Sequence, residues 1–347
     1  MAAAAPNIDI TVDGTEIPDG DFVSYTVERD MNQPDIATVT LSNANDIHTA
    51  KLKIGAAVEI KVGNEKKSVF KGEINLVEPL FKGGETKKIT FRAFNKMHRL
   101  LRMRKSVTFT EKNDQAILNQ VAGDAGLQLD WKHEKTITYK HVYQHNLTDL
   151  EFIRMRAGRL GAYVWCVDTK LFVQEPDLSK TSGMKLSLDK GSEVMSFTPR
   201  MSAASIVKKV TVKGWNPETK ELITGESSAQ NSPLGSQNAT GACGDLGNEE
   251  TFTVDHPIWS KEEADAIAKG RLRDLNLTFI SGEVEIKGDP SVELGTVVEI
   301  ESNAADAQDP FNGKYYIIGL VHRHSMPKSK DGGYHTTLKL ARDAQKK

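Results

Sequence analysis

Read as alternating apolar and polar positions, the first hundred residues are short strands separated by turns. FVSYTVER (22–29) and IATVTLSN (36–43) alternate with a period of two, and MNQPD (31–35) between them is turn-like. Such alternation, rich in Val, Ile, Thr and Tyr, marks strands with one buried face. AAVEIKV (56–62), VFKGEINLVEPL (69–80) and KKITFRAF (87–94) continue the pattern, with polar turns at 64–67 and 81–85. A barrel or sandwich is expected here.

The texture changes at NKMHRLLRMRK (95–105), a basic run that reads as a solvated helix or partner-facing linker. Asn113 or Asp114 then offers an N-cap; Ile117, Val121 and Ala125 follow on one helical face, with Gly126 as the stop. A second helix is announced by Thr148 and Glu151, a capping box in which each side chain satisfies an orphan N–H of the other's residue. Its apolar face is Leu150, Ile153, Ala157 and Leu160, and Gly161 sits where a C-cap wants positive φ. AYVWCV (162–167) and KLFVQE (170–175), joined at Asp168-Thr169, form a hairpin against which that face is expected to pack. Beyond it MKLSLD (184–189), EVMSFTPR (193–200) and SIVKKVTVKGW (205–215) are strands, 225–250 reads as a long exposed polar loop, and Ser260 with Glu263 opens a helix over 260–276.

An internal repeat organises these pieces. Ile54-Gly55-Ala56-Ala57-Val58-Glu59-Ile60 resembles Leu294-Gly295-Thr296-Val297-Val298-Glu299-Ile300; Phe70-Lys71-Gly72 is matched with Phe311-Asn312-Gly313, and Gly83-Gly84 with Gly332-Gly333. The fold class expected is therefore mainly β with an α+β insert: two related β-barrels, 1–104 and 196–347, flanking a small α+β middle region, 105–195.

Composition narrows the function. Over 347 residues, charged side chains are 27% and the net charge is −2, which argues against a dedicated nucleic-acid binder. No apolar run approaches the ~18 residues of a membrane span, so no stable membrane insertion is expected. MAAAAPNIDI lacks the basic start of a secretory signal, and the two cysteines, Cys166 and Cys243, make neither a disulfide framework nor a zinc pattern. A chain made in a reducing cytoplasm is expected. His141 and His145 have no third ligand of matching spacing, and His322 and His324 are read as lying on a solvated barrel surface. With no catalytic motif present, no catalytic, cofactor-binding or metal residue is assigned, and no enzyme is expected.

The duplicated barrels and the phrase NLTDLEFIRMRAGRLGAYVW (146–165) together resemble the baseplate hub family of contractile injection machines: phage late control D proteins and the N-terminal half of type VI secretion spike (VgrG) proteins. The resemblance implies that the two units are tail-tube-like β-barrels and that the chain forms a homotrimer whose six barrels adapt a threefold spike to the sixfold inner tube, within a phage tail, tailocin or related system. Its partners would be a separate spike protein, the inner tube protein and other baseplate proteins, with synthesis in the bacterial cytoplasm before incorporation into the particle. The spike is expected to be separate because the chain closes at Ala341-Arg342-Asp343 without a needle-like segment. The alternatives are a glycan-binding or peptidoglycan-cleaving tail protein, which would need paired carboxylates in a cleft, and a DNA-contacting assembly factor using 95–105.

Overall fold

The computed structural model describes residues 7–81, 87–133, 137–189, 193–246, 248–254, 256–303, 305–306, 308–326 and 332–346. It is mainly β, as the alternation predicts. The first unit runs through β1 (Ile8–Val12), β2 (Thr15–Glu16), β3 (Phe22–Asp30), β4 (Ile36–Ser42), β5 (Ala57–Val62), β6 (Lys67–Leu80) and β7 (Lys88–Phe94). In β4 the odd positions Ala37, Val39 and Leu41 are buried while Thr38, Thr40 and Ser42 face outward, the one-sided burial that fixes register. The inner faces from β1 across to β3 meet in a single cluster containing Ile10, Ile60, Ile74, Phe91, Val39 and Val27. End strands and middle strands can share one core only if the sheet curls around it.

The middle region comprises β8 (Arg104–Asn113), α1 (Asp114–Asp124), β9 (Gln128–Lys132), β10 (Thr138–Thr148), α2 (Asp149–Arg159), β11 (Tyr163–Val167) and β12 (Lys170–Gln174). Asn113 caps α1 by accepting from Ala116 N–H at 2.8 Å. The capping box of α2 is complete: Thr148 Oγ1 accepts from Glu151 N–H at 3.2 Å, and Glu151 Oε2 from Thr148 N–H at 2.8 Å. Leu150, Ile153, Ala157 and Leu160 are all buried, the first three in the cluster that holds Val164 and Cys166 of β11, so the predicted helix face packs on the hairpin as expected. Each such side chain stabilises the fold by ~1.5–3 kcal/mol for the larger aliphatics.

The rest of the chain is β13 (Thr181–Ser187), β14 (Val194–Met201), β15 (Val207–Asn216), β16 (Glu221–Ser228), β17 (Gln237–Asn238), α3 (Ala239–Cys243), β18 (Asn248–Thr253), α4 (Lys261–Asn276), β19 (Ile280–Lys287), β20 (Val297–Glu301), β21 (Gly313–Ser325), β22 (Gly333–Arg342) and β23 (Ala344–Gln345). Residues 225–250, expected as a long loop, instead carry the end of β16, then β17, α3 and β18. The strands β16-β15-β18 form a small sheet on which α4 lies, and Gly225 allows the contact, since a Cβ there would meet the Ala264 backbone at 2.3 Å. Their polar wording conceals a fold made by the helix that covers them. A second glycine contact docks α4 on the middle region: a Cβ on Gly270 would sit 2.5 Å from Gly161 Cα, and Gly161 itself has φ 65°.

The duplication is written in the hydrogen bonds. Gly55 N–H donates to Ile74 O (2.8 Å) while Ile74 N–H donates to Ala56 O (2.9 Å); Gly295 N–H donates to Ile317 O (3.0 Å) while Ile317 N–H donates to Thr296 O (2.9 Å). Both glycines have positive φ, 88° and 74°. One residue past Ile74 and Ile317 each long strand is bulged, between Ile74 and Leu76 and between Ile317 and Gly319. β3 and β14 are likewise irregular at matching places, between Phe22 and Ser24 and between Val194 and Ser196. These anchors equate β3-β4-β7-β6-β5-β1 with β14-β19-β22-β21-β20-β13. They also correct two matches. Val58 pairs with Gly72 where Val298 pairs with Tyr315, so Gly72 corresponds to Tyr315 and the two Phe-x-Gly phrases are out of step by two residues. Ala93 corresponds to Leu340, which shifts the last strand by two as well. A slip of two keeps every side chain on its face, so alternation alone cannot detect it. The paired Gly-Gly match falls on Gly83-Gly84, outside the described residues. The copies differ at one end: β1 runs antiparallel to β5, but β13 runs parallel to β20.

Candidate functional site

The alternation that buries one side of these strands leaves the other as a face. All thirteen strands of the two units belong to one sheet, and eight of them, β14-β19-β22-β21-β3-β4-β7-β6, lie side by side. Opposite the cores, this stretch presents Thr and Ser interspersed with charges of both signs, such as Glu283, Lys339, Arg323, Glu28, Arg92 and Glu78. Lys339 Nζ pairs with Asp30 at 2.9 Å, and the Thr40 and Thr90 hydroxyls share a hydrogen bond of 3.1 Å. A mixed polar wall of this kind lacks the single sign of a nucleic-acid groove, and its hollow of about 430 Å³, around Glu28, Glu283, Glu285 and Arg323, is lined mostly by polar side chains where ligand pockets are mostly apolar. Among the described residues no group of His, Cys, Asp and Glu could hold a metal ion.

The middle of the face is a seam where the two units meet. β21 pairs antiparallel with β3, from Gly319 opposite Asp30 to Ser325 opposite Ser24. Beneath it His322 and His324, only 1% and 4% exposed, stack with Tyr334, Tyr25 and Phe22. This overturns the expectation of a solvated histidine surface: Arg323 takes the outward position and its neighbours necessarily point in. His322 Nδ1 lies 2.9 Å from the Tyr334 hydroxyl and 3.1 Å from Thr336 Oγ1. Burial pushes its imidazole down to about 3, so it is neutral.

The ends of the face are unpaired. Among the described residues β14 pairs only with β19, and residues 76–80 of β6 pair only with β7. These edges expose large apolar groups: Leu80 53%, Phe81 68%, Met195 54% and Met201 37%. The sequence carries a signal for them. Pro79 and Pro199 interrupt strand patterns, and proline within a sheet is confined to edges, first positions and bulges.

Other places were candidates for chemistry. A cleft of about 490 Å³ beside α4 contains Glu175, Asp265 and Asp343. Burial alone would raise Glu175, but bonds from His133 and Lys269 outweigh it and hold the carboxyl at about 2, too weak a base for proton transfer at neutral pH. Asp149 and Glu151 serve the start of α2, bound to Lys105 at 2.6 Å and to Arg104 at 3.0 Å. The basic run 95–105 is a 3-10 turn over Lys96–Leu101 with Met97 and Leu100 buried. Its His98 meets Glu73 at 3.1 Å, and Arg99 also pairs with Glu73, leaving little charge for phosphates. His141 and His145 are exposed on β10, with rings against Tyr143. The deepest ionic cluster, Arg156 Nε bonded to Asp114 Oδ1 at 2.5 Å with the Tyr139 hydroxyl at 3.0 Å from Oδ2, is buried and braces α1, α2 and β10. Removing one member of such a pair costs far more than the pair contributes.

Solved structures share this architecture. The chain is similar to a tail protein from Neisseria meningitidis MC58, with TM-score 0.73 and 14% identity over 98% of this chain and 97% of that one. It is similar to the 43 kDa tail protein of prophage MuSo2 from Shewanella oneidensis, with TM-score 0.72 and 15% identity over 98% and 100%. It is also similar to an E. coli component of the type VI secretion system, itself described as structurally similar to bacteriophage T4 tail proteins, with TM-score 0.65 and 12% identity over 95% and 76%. No curated protein sequence matches. These identities carry the fold alone. A family model described as the Alg8 N-terminal domain matches residues 2–325, and the chain belongs to that family.

Proposed function

We propose that the chain is a structural, non-enzymatic baseplate hub of a contractile injection machine, a phage tail, tailocin or related system. In this reading three copies assemble, and in each the first unit (β1 to β7) and the second (β13, β14 and β19 to β22) supply two of six ring units, while the middle region of β8 to β12 packs outside. The second unit thus begins before residue 196, with β13 and β14. Such a ring joins a threefold spike to a sixfold inner tube and contacts other baseplate proteins. The observation that carries the reading is the pair of equivalent units fused through one continuous polar sheet that ends on two open edges. A closed ring would cover edges otherwise available for uncontrolled pairing. The fold shared with tail proteins and a type VI secretion component supports it. Glu175 is committed to His133, Lys269 and Arg273, and Asp343 of the same cleft, its pKa pushed up by burial, accepts from the Ser232 hydroxyl, so both carboxyls are engaged in holding the fold, which disfavours the peptidoglycan-cleaving alternative.

The test is light scattering after gel filtration at high concentration, combined with capture of tube and spike proteins from the same source. The mass of three chains and binding to either protein are expected. A strict monomer that binds neither contradicts the reading.

A further inference from the structure

The internal seam is a template for the contact between copies. The matched anchors set β14 in the place of β3 and β6 in the place of β21, with Phe22 equivalent to Val194 and Ile317 to Ile74. The two strands that make the seam within one chain therefore have counterparts whose matching edges are both unpaired among the described residues. We infer that a second copy of this chain docks edge to edge, β6 of one against β14 of the next, in the register of the seam. This rests on the hub reading above and adds to it the surface and the rungs.

Transferring the register gives definite partners. Gly319 opposite Asp30 becomes Leu76 opposite Ser202, and Val321 opposite Glu28 becomes Glu78 opposite Arg200. The transfer thus brings an exposed carboxylate onto an exposed guanidinium, and it places Val77 against Met201 and Phe81 against Phe197. Phe81 and Met201, two of the apolar groups left open at the edges, acquire apolar neighbours by the same operation. Unlike charges directly opposite, and apolar pairs beside them, are what stabilise an antiparallel junction.

One rung differs. In the seam, Met31 N–H donates to Ile318 O at 3.1 Å and Met326 N–H to Val23 O at 3.2 Å. Hydrogen bonds are therefore exchanged at the odd-numbered residues of β3, including Val27 opposite His322. The transferred rung is Pro199 opposite Pro79, and neither residue has an N–H to give. The junction between copies is then a ladder opened in the middle, held by the rungs on either side and by side chains. The same prolines deny these edges to an unrelated strand, so the contact selects a partner that brings the matching Glu78 or Arg200.

The test uses Glu78→Cys with Arg200→Cys in the full chain, oxidised at the concentration of assembly, with the parent chain and each single substitution as controls. The rung is of the type that exchanges no hydrogen bonds, where Cβ atoms lie ~4.5–5.5 Å apart, close enough for a disulfide after small adjustment. Glu28→Cys with Val321→Cys makes the equivalent cross-link within one chain and reports whether the rung geometry permits it. Expected is a covalent ladder ending at three chains for the double variant, absent from the singles. A second arm avoids the thiols: Glu78→Arg raises the concentration needed for assembly by about fivefold, and Glu78→Arg with Arg200→Glu restores it. A sample that scatters as a trimer but neither cross-links nor responds to the charge reversal overturns this junction and leaves the hub reading standing. A strict monomer that binds neither tube nor spike overturns both.

Discussion

The seam and the free edges are the same piece of structure in two settings. At the seam, β3 and β21 exchange hydrogen bonds, and Val27, His322, Tyr25 and His324 are buried beneath them. At the edges the counterparts are Pro199, Pro79, Phe197 and Phe81, two of them unable to donate and Phe81 in water. A junction within a chain forms once, during folding, and favours an uninterrupted ladder. The proposed junction between chains must also refuse wrong partners, and prolines with one matched charge pair would serve that end.

The comparison breaks most visibly by substitution. Val27→Asp places a carboxylate in the core and should cost about 4 kcal/mol of stability, enough to lower the melting temperature by several degrees or unfold the chain. Pro199→Asp, at the equivalent edge position, should leave the melting temperature of dilute monomer within about 2 °C. Equal losses at the two sites would mean that the edge is not free. Next in size is Gly270→Ala. The added Cβ meets Gly161 Cα at 2.5 Å, so α4 must lift from the middle region at about 2 kcal/mol. Gly158→Ala in α2 meets nothing within 4 Å and should instead stabilise by about 0.5–1 kcal/mol. Thermal melts of the two variants should move in opposite directions.

The seam also carries a dependence on acid. The His322 imidazole titrates near 6.5 when unfolded and at about 3 in the fold. Between those values the unfolded chain holds a proton that the folded chain refuses. Stability is therefore full above pH 6.5 and falls as the pH drops towards 3, by about 2 kcal/mol at pH 5. Melts of the parent chain and His322→Gln across pH 7 to 5 should show a shallower slope for the variant. Parallel slopes would remove this account of the seam.

Much of this was legible in the sequence because it rests on local rules. Alternation marks β4 and β7, the capping box marks α2, and Gly55 and Gly295 mark the repeat through a backbone conformation that favours glycine. What stayed hidden depends on distant partners. The seam joins residues near 27 to residues near 322, and nothing in either strand names the other. The wording of β16 and β18 is that of a loop until Gly225 is seen against Ala264. His322 and His324 read as surface residues because histidine is amphipathic, and only the inward phase of β21 decides the matter. The edges were signalled by Pro79 and Pro199, whose meaning depends on which neighbour is missing.

The central claim, that the fused pair of units is two-sixths of a ring, is tested most directly by electron microscopy of the purified chain at high concentration. End-on averages should show six lobes around a central opening, with threefold symmetry. Isolated two-lobed particles, or twofold dimers, would contradict it.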